Sequence, residues 1–226
     1  MDNKVKELAV DRGITRLCHF TQARNLAHIF GSSIGLCSSL ELSQSSMPYN
    51  PNDILRYDQH KELICCSVEY PNVFYFRAAI SKEKLFKDWA VLFIKPDYIW
   101  SDDTKFCPCN AAKSKGAYIG EGATCFQSLF DFTAKGSGIL RCMLQLRSTP
   151  TDNQAEVLIK GPVPTSDIVG VVFSSKEQAQ CEHARLKLLQ IPISFKSYIA
   201  PDFFDRDMLI SKINFDMQPE LTVFEG

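Results

Sequence analysis

The chain has 226 residues and a net charge of −1, with 45% hydrophobic and 11% aromatic residues. That length fits a single domain, residues 1–226, able to bury a sizeable core. The near-neutral charge excludes binding to polynucleotide by bulk electrostatics, so any such contact must come from a local basic patch. No run of about 18 apolar residues occurs, which excludes a transmembrane helix. The charged opening Met1-Asp2-Asn3-Lys4-Val5-Lys6-Glu7 lacks an apolar signal core, which predicts a cytoplasmic protein.

Residues 1–13 are polar and predict a short helix or tail. Leu17-Cys18-His19-Phe20-Thr21 predicts a short strand running into a helix, with Thr21 as N-cap and Asn25, Leu26, Ile29 and Phe30 at helical spacing. Residues 37–60 are rich in Ser, Pro and Asn and predict a long loop, of a length usually functional or disordered. Residues 63–70 predict a strand that Pro71-Asn72 breaks; Phe74-Tyr75-Phe76 then continues into a helix around residues 82–88. Residues 89–95 are a strongly apolar strand ended by Pro96-Asp97. Residues 101–138 predict irregular structure with one helix near residues 125–132, and residues 140–146 suit helix or strand. Residues 156–159 and 168–173 predict strands, and residues 176–189 show helical spacing. Ile191-Pro192-Ile193-Ser194-Phe195 predicts a short edge strand, because Pro cannot donate to a central ladder. Strands interleaved with helices and long loops predict an α+β fold with a central, largely antiparallel split sheet. A doubly wound α/β fold would need a Gly-rich turn after its first strand, and none is present.

Nine cysteines are spread along the chain. In a reducing cytosol they are expected to be small hydrophobes or surface thiols. Cys107-Pro108-Cys109 and Cys181-Glu182-His183 raise a zinc reading, but one intervening residue is shorter than the usual ligand spacing. No metal is expected.

The stretch Thr151-Asp152-Asn153-Gln154-Ala155-Glu156-Val157-Leu158-Ile159 carries the most chemistry. A polar turn ending in Gln-x-Glu meets an apolar strand at once, which sets a carboxylate at the mouth of a sheet. Cleaving a glycosidic bond builds positive charge on the sugar ring, and a carboxylate beside that ring stabilises it. Taken alone, a Glu at a strand end is more often a surface ion-pair partner. Upstream, Lys113, Lys115, Lys135, Arg141 and Arg147 are interleaved with Tyr118, Phe126 and Phe132. Charges that follow phosphates and rings that stack bases suit a single-stranded polynucleotide; an ordinary solvated face is the alternative.

Three further segments join Gln154-Ala155-Glu156: His19-Phe20-Thr21, Asn52-Asp53-Ile54-Leu55-Arg56-Tyr57-Asp58, and Tyr70-Pro71-Asn72-Val73-Phe74-Tyr75-Phe76. In this order the four resemble the DarT family of bacterial toxins, which ADP-ribosylate bases of single-stranded DNA. The resemblance runs from about residue 17 to about residue 172. It implies an ADP-ribosyltransferase-like fold and NAD as co-substrate. It implies that Glu156 and Arg56 are catalytic, and that His19, Thr21, Asn25, Arg56 and Tyr75 bind NAD. His19 would bond the adenosine-side ribose, Arg56 would lie in a loop closing over NAD, and Tyr75 would rest against nicotinamide. Tyr49, Gln154, Lys113, Lys115 and Arg147 fall on the acceptor side. The implied partners are single-stranded DNA and an antitoxin protein that removes ADP-ribose. The target base stays open between thymine, guanine and an RNA base. An RNA- or protein-directed transferase and a catalytically silent nucleic-acid-binding module remain the alternatives.

Overall fold

The apolar segments of the chain become neighbouring strands of one sheet in the computed structural model, which describes residues 1–45 and 57–226. Helix α1 (Asn3–Asp11) starts at Asp2, whose carboxylate accepts the Lys4 and Val5 N–H groups. Strand β1 (Leu17–Gln22) passes through one 3-10 turn into α2 (Leu26–Gly31), and α3 (Ser39–Gln44) follows. Next come β2 (Leu63–Val68), α4 (Val73–Lys82), β3 (Trp89–Ile94), β4 (Lys105–Cys107), β5 (Gly120–Glu121) and α5 (Gly122–Ser128). The chain closes with β6 (Glu156–Lys160), β7 (Ile168–Phe173), α6 (Lys176–Leu188), β8 (Lys196–Ile199), α7 (Arg206–Asn214) and β9 (Thr222–Phe224).

Among the described residues the strands form one sheet in the order β5-β4-β6-β2-β1-β3-β7-β8-β9. Every pairing is antiparallel except β7 with β8, which α6 connects as a crossover. Alternation along β1 sends Leu17 into a core with residues of α1, α2, α5 and α6, and Cys18 into a core with residues of α4 and α7. Helices thus cover both faces. Strand β3 is buried at every position, which is why it reads as a continuous apolar run rather than an alternating one.

The sheet is split. β1 stays on β3 along its whole length, from Leu17 opposite Ile94 to Gln22 opposite Trp89. β2 stays on β6 from Leu63 to Cys66. Between β1 and β2 only Leu17–Val68 and Cys18–Ser67 are in register. Beyond that junction the two strands follow different neighbours and part, which opens a cleft inside the sheet.

Several local expectations shift. Asn72 accepts the Tyr75 N–H at 3.1 Å and so starts α4 immediately after the Pro71 break. Phe74-Tyr75-Phe76 is therefore the first turn of that helix, which ends at Lys82 instead of beginning near there. Phe76 is 1% exposed, whereas Phe74 is exposed at 36%. The expected loop at residues 37–60 holds α3, opened by a capping box in which Ser38 and Glu41 exchange side-chain and backbone bonds. Residues 140–146 form turns, with one isolated bridge between Thr133 and Leu140. The strand expected at residues 191–195 lies one step later, as β8. Thr21 lies within β1, where its hydroxyl accepts from the Asn25 side chain rather than from a helix backbone.

Candidate active site

The parting of β1 and β2 creates a cavity of about 420 Å³. That falls within the ~300–1,000 Å³ range of cofactor-sized sites. One wall is β1 and α2, contributing His19, Thr21, Asn25 and His28; another is β2, with Cys65, Cys66 and Ser67. Glu41 of α3, Asn72 and Tyr75 at the start of α4, and Asp58 contribute further side chains. Glu156 and the segment Asn110-Ala111-Ala112 complete the lining.

His19 bridges the split. Its Nδ1 lies 2.8 Å from the Cys65 carbonyl. A carbonyl only accepts, so Nδ1 carries the hydrogen and donates it across the split. Thr21 is buried, and its Oγ1 accepts the Asn25 side-chain N–H at 2.9 Å, which ties strand and turn together below the same wall. Tyr75 packs against Phe20 with ring centroids 5.8 Å apart.

Glu156 is the first residue of β6, opposite Cys107 of β4. Its Oε1 accepts the Ala111 N–H at 2.9 Å. A half-buried carboxylate held by a backbone donor at the mouth of an apolar cleft can stabilise positive charge developing on a bound ligand.

Three thiols of the cavity lining, Cys18, Cys37 and Cys66, are not poised as nucleophiles. Burial pushes Cys18 up to about 12, with Arg16 opposing. Burial also raises Cys66, and burial together with Glu41 raises Cys37. These three thiols stay protonated at neutral pH. Cys107 and Cys109 face each other with sulfurs 4.0 Å apart. Their hydrogen bond and burial raise Cys107, while the same bond lowers Cys109. Cys181 is exposed, whereas His183 is buried and bonded to the Ser197 hydroxyl at 2.7 Å.

The structure brings His19, Thr21, Asn25, Tyr75 and Glu156 into one lining. Lys113 and Lys115 are exposed on a short turn that directly follows Asn110-Ala111-Ala112, next to the cavity rim. Gln154 lies outside the described lining, and its backbone N–H donates to Asp152. Arg147 is also outside the lining; its guanidinium pairs with Asp11 of α1 at 2.5 Å. Arg141 is committed to backbone carbonyls of Leu146 and Thr149 rather than to a surface track. Tyr49 and Arg56 lie outside the described residues. Asn72 and Asp58, which lie within the quoted segments, and Glu41 and Asn110, which lie in none, join the site without having been singled out as site residues. Asn72 carried a local signal as the capping residue after a Pro, and Glu41 carried one as the acidic residue three after Ser38. The Cys65 carbonyl and the Ala111 N–H are backbone groups that every residue type except proline offers alike.

No curated protein is significantly similar in sequence. Several solved structures share the fold. The Thermus sp. 2.9 DarT in complex with NAD+ is 14% identical, with a TM-score of 0.57, covering 84% of this chain and 97% of that one. The same protein in complex with ADP-ribosylated ssDNA is 12% identical, with a TM-score of 0.58, covering 85% and 97%. The Thermosipho africanus DarTG in complex with ADP-ribose is 16% identical, with a TM-score of 0.57; 84% of this chain aligns, spanning about half (51%) of that longer one. At these identities the likeness establishes the fold. The family itself is established by sequence: the family model described as "DarT: ssDNA thymidine ADP-ribosyltransferase" matches residues 18–205. A match across most of the chain, centred on the split sheet and its cavity, makes this protein a member of the DarT family of single-stranded-DNA ADP-ribosyltransferases.

Proposed function

We propose that this chain transfers ADP-ribose from NAD+ to a thymidine base of single-stranded DNA, with the split-sheet cavity holding NAD+. The observation that carries the proposal is the joint lining by His19, on one half of the sheet, and Glu156, on the other. In the reaction the bond between nicotinamide and its ribose breaks, and the electron pair leaves with nicotinamide. The base bonds to the same ribose carbon and loses a proton. Positive charge gathers on the ribose between these events, and Glu156 is the carboxylate set to stabilise it. His19 Nε2 accepts from the adenosine-side ribose, Thr21 and Asn25 shape that end of the site, and Tyr75 covers nicotinamide. Arg56 is assigned to the reacting end and Tyr49 to the acceptor by the family resemblance alone. Lys113 and Lys115 stand beside the rim where phosphates of a strand would pass, with Gln154 and Arg147 on the surface beyond. The biological role that fits is a cytoplasmic toxin whose antitoxin removes ADP-ribose.

Labelled NAD+ incubated with single-stranded DNA, duplex DNA, RNA and protein pools tests this. Label should enter single-stranded DNA, and poorly the duplex, because pairing and stacking hide the base at a cost of a few kcal/mol. Charge reversal at Lys113 and Lys115 together should weaken DNA modification and its salt dependence without removing NAD+ binding. Label confined to RNA or protein overturns the acceptor assignment.

A further inference from the structure

Glu156 opens β6, and its place depends on the turn before it. Asp152 in that turn is completely buried. Its Oδ1 accepts the Gln154 N–H at 2.8 Å, and its backbone carbonyl accepts the Ala155 N–H at 2.9 Å. One residue thereby satisfies the last two backbone donors before Glu156. The segment leading into the turn is pinned from the other side. The Arg141 guanidinium donates to the carbonyls of Leu146 at 2.9 Å and Thr149 at 2.8 Å. The Thr151 hydroxyl donates to the Asp131 carbonyl at 2.6 Å. With that approach fixed, the Asp152 bonds set how the chain leaves the turn and enters the strand.

The second carboxylate oxygen, Oδ2, is buried with no hydrogen-bond partner among the described residues. An interior carboxylate with half its acceptor capacity unused costs folding free energy. A costly side chain that shapes the two residues ahead of a catalytic one serves geometry better than it serves stability.

We propose that Asp152 is a positioning residue for the transfer reaction, holding the Glu156 carboxylate in place at the mouth of the split. This rests on the reading of Glu156 as the group that stabilises the ribose cation. Glu156 is received from the far side by the Ala111 N–H, so its carboxylate is held between two backbone supports, and Asp152 builds one of them. A displacement of roughly 1 Å at a reacting centre slows turnover on the order of a hundredfold. His19, Thr21 and Asn25 belong to β1 and its following turn, across the split, so NAD+ affinity survives the loss of Asp152.

Asp152→Ala and Asp152→Asn, compared with Glu156→Gln for kcat and for the KM of NAD+, test the assignment. Asp152→Ala should lower kcat about tenfold to a hundredfold and leave KM unchanged. Asp152→Asn keeps an oxygen acceptor for the Gln154 N–H and should recover most of the turnover. On the Glu156→Gln background, Asp152→Ala should slow the residual rate no further, because nothing is left to position. Wild-type turnover in Asp152→Ala overturns the proposal. So does a loss seen in KM rather than kcat, or one that persists in full on the Glu156→Gln background. If Asp152→Ala fails to fold, Asp152→Asn and Asp152→Ser carry the test. Near-normal Asn with intermediate Ser supports it, and equally deep losses in both overturn it. Full activity of Glu156→Gln would instead strike the reading of Glu156, a separate outcome.

Discussion

Replacing His19 separates two jobs that the structure gives one ring. Nδ1–H donates across the split to the Cys65 carbonyl at 2.8 Å, beyond the two residue pairs that hold β1 and β2 in register. Nε2 is the acceptor assigned to NAD+. His19→Ala deletes both. Losing the tether should cost about 0.5–1.5 kcal/mol of stability, a fall in Tm of roughly 2–4 °C for each kcal/mol in a domain of this size. Losing one ligand hydrogen bond, worth about 1 kcal/mol, should weaken NAD+ binding several-fold to about tenfold. His19→Asn places an amide N–H near Nδ1 but nothing at Nε2, so it should restore most of the Tm and none of the affinity. His19→Gln reaches the Nε2 position and should do the reverse. Thermal unfolding without ligand and calorimetric titration with a non-reactive NAD+ analogue give the two readouts. An Asn variant that binds the analogue like wild type would remove His19 from the NAD+ site. An Ala variant with unchanged Tm would remove the tether.

Glu156→Gln keeps an acceptor for the Ala111 N–H, so the fold should persist while transfer falls about a hundredfold or more; activity within a few-fold of wild type, in a single-strand labelling assay, refutes the charge-stabilising role. Gly35 has φ +87°, and an added Cβ would run into the Val163 carbonyl, so Gly35→Ala should cost roughly 1–3 kcal/mol. Because Leu36 pairs with Val163 and lines the cavity, NAD+ affinity should fall with it, and denaturant unfolding with parallel titration checks both. The Asp167 carboxyl is held below its ordinary value by hydrogen bonds from Lys95 at 2.7 Å and Tyr98 at 2.9 Å. A depressed carboxyl stabilises the fold above its unfolded value, near pH 4, and that stability is lost as pH falls through the lower folded value. Lys95→Met should therefore cost roughly 0.5–1 kcal/mol at neutral pH and progressively less below about pH 4; an equal cost at both in urea melts contradicts the pairing.

Much of the fold was written in local pattern. The apolar runs at β1, β2, β3, β6 and β7 were legible because a strand buried on one or both faces must be apolar at period one or two. The long helix α6 declared itself through Ala179 and Leu186 at helical spacing. The order of His19, Arg56, Tyr75 and Glu156, each within its motif, determined the family before any coordinates, since a motif is a statement about sequence neighbours. α3 was legible in principle, as Ser38 followed three residues later by Glu41, but its polar surroundings read as loop.

The tertiary structure alone decided the rest. That β1 and β2 part after two pairs follows from which strands they meet on their other sides, and pairings between distant segments leave no mark in either segment. Of the basic residues before Glu156, sequence set Lys113, Arg141 and Arg147 in one basic and aromatic stretch and assigned Lys113 and Arg147 to the acceptor side. Packing left Lys113 exposed on the turn after the lining residues Asn110-Ala111-Ala112, locked Arg141 onto backbone carbonyls and drew Arg147 to Asp11. A guanidinium goes where acceptors are left over, and those acceptors exist only once the chain has folded. For the same reason the Cys65 carbonyl and the Ala111 N–H became partners of His19 and Glu156 through position, with no residue type to announce them.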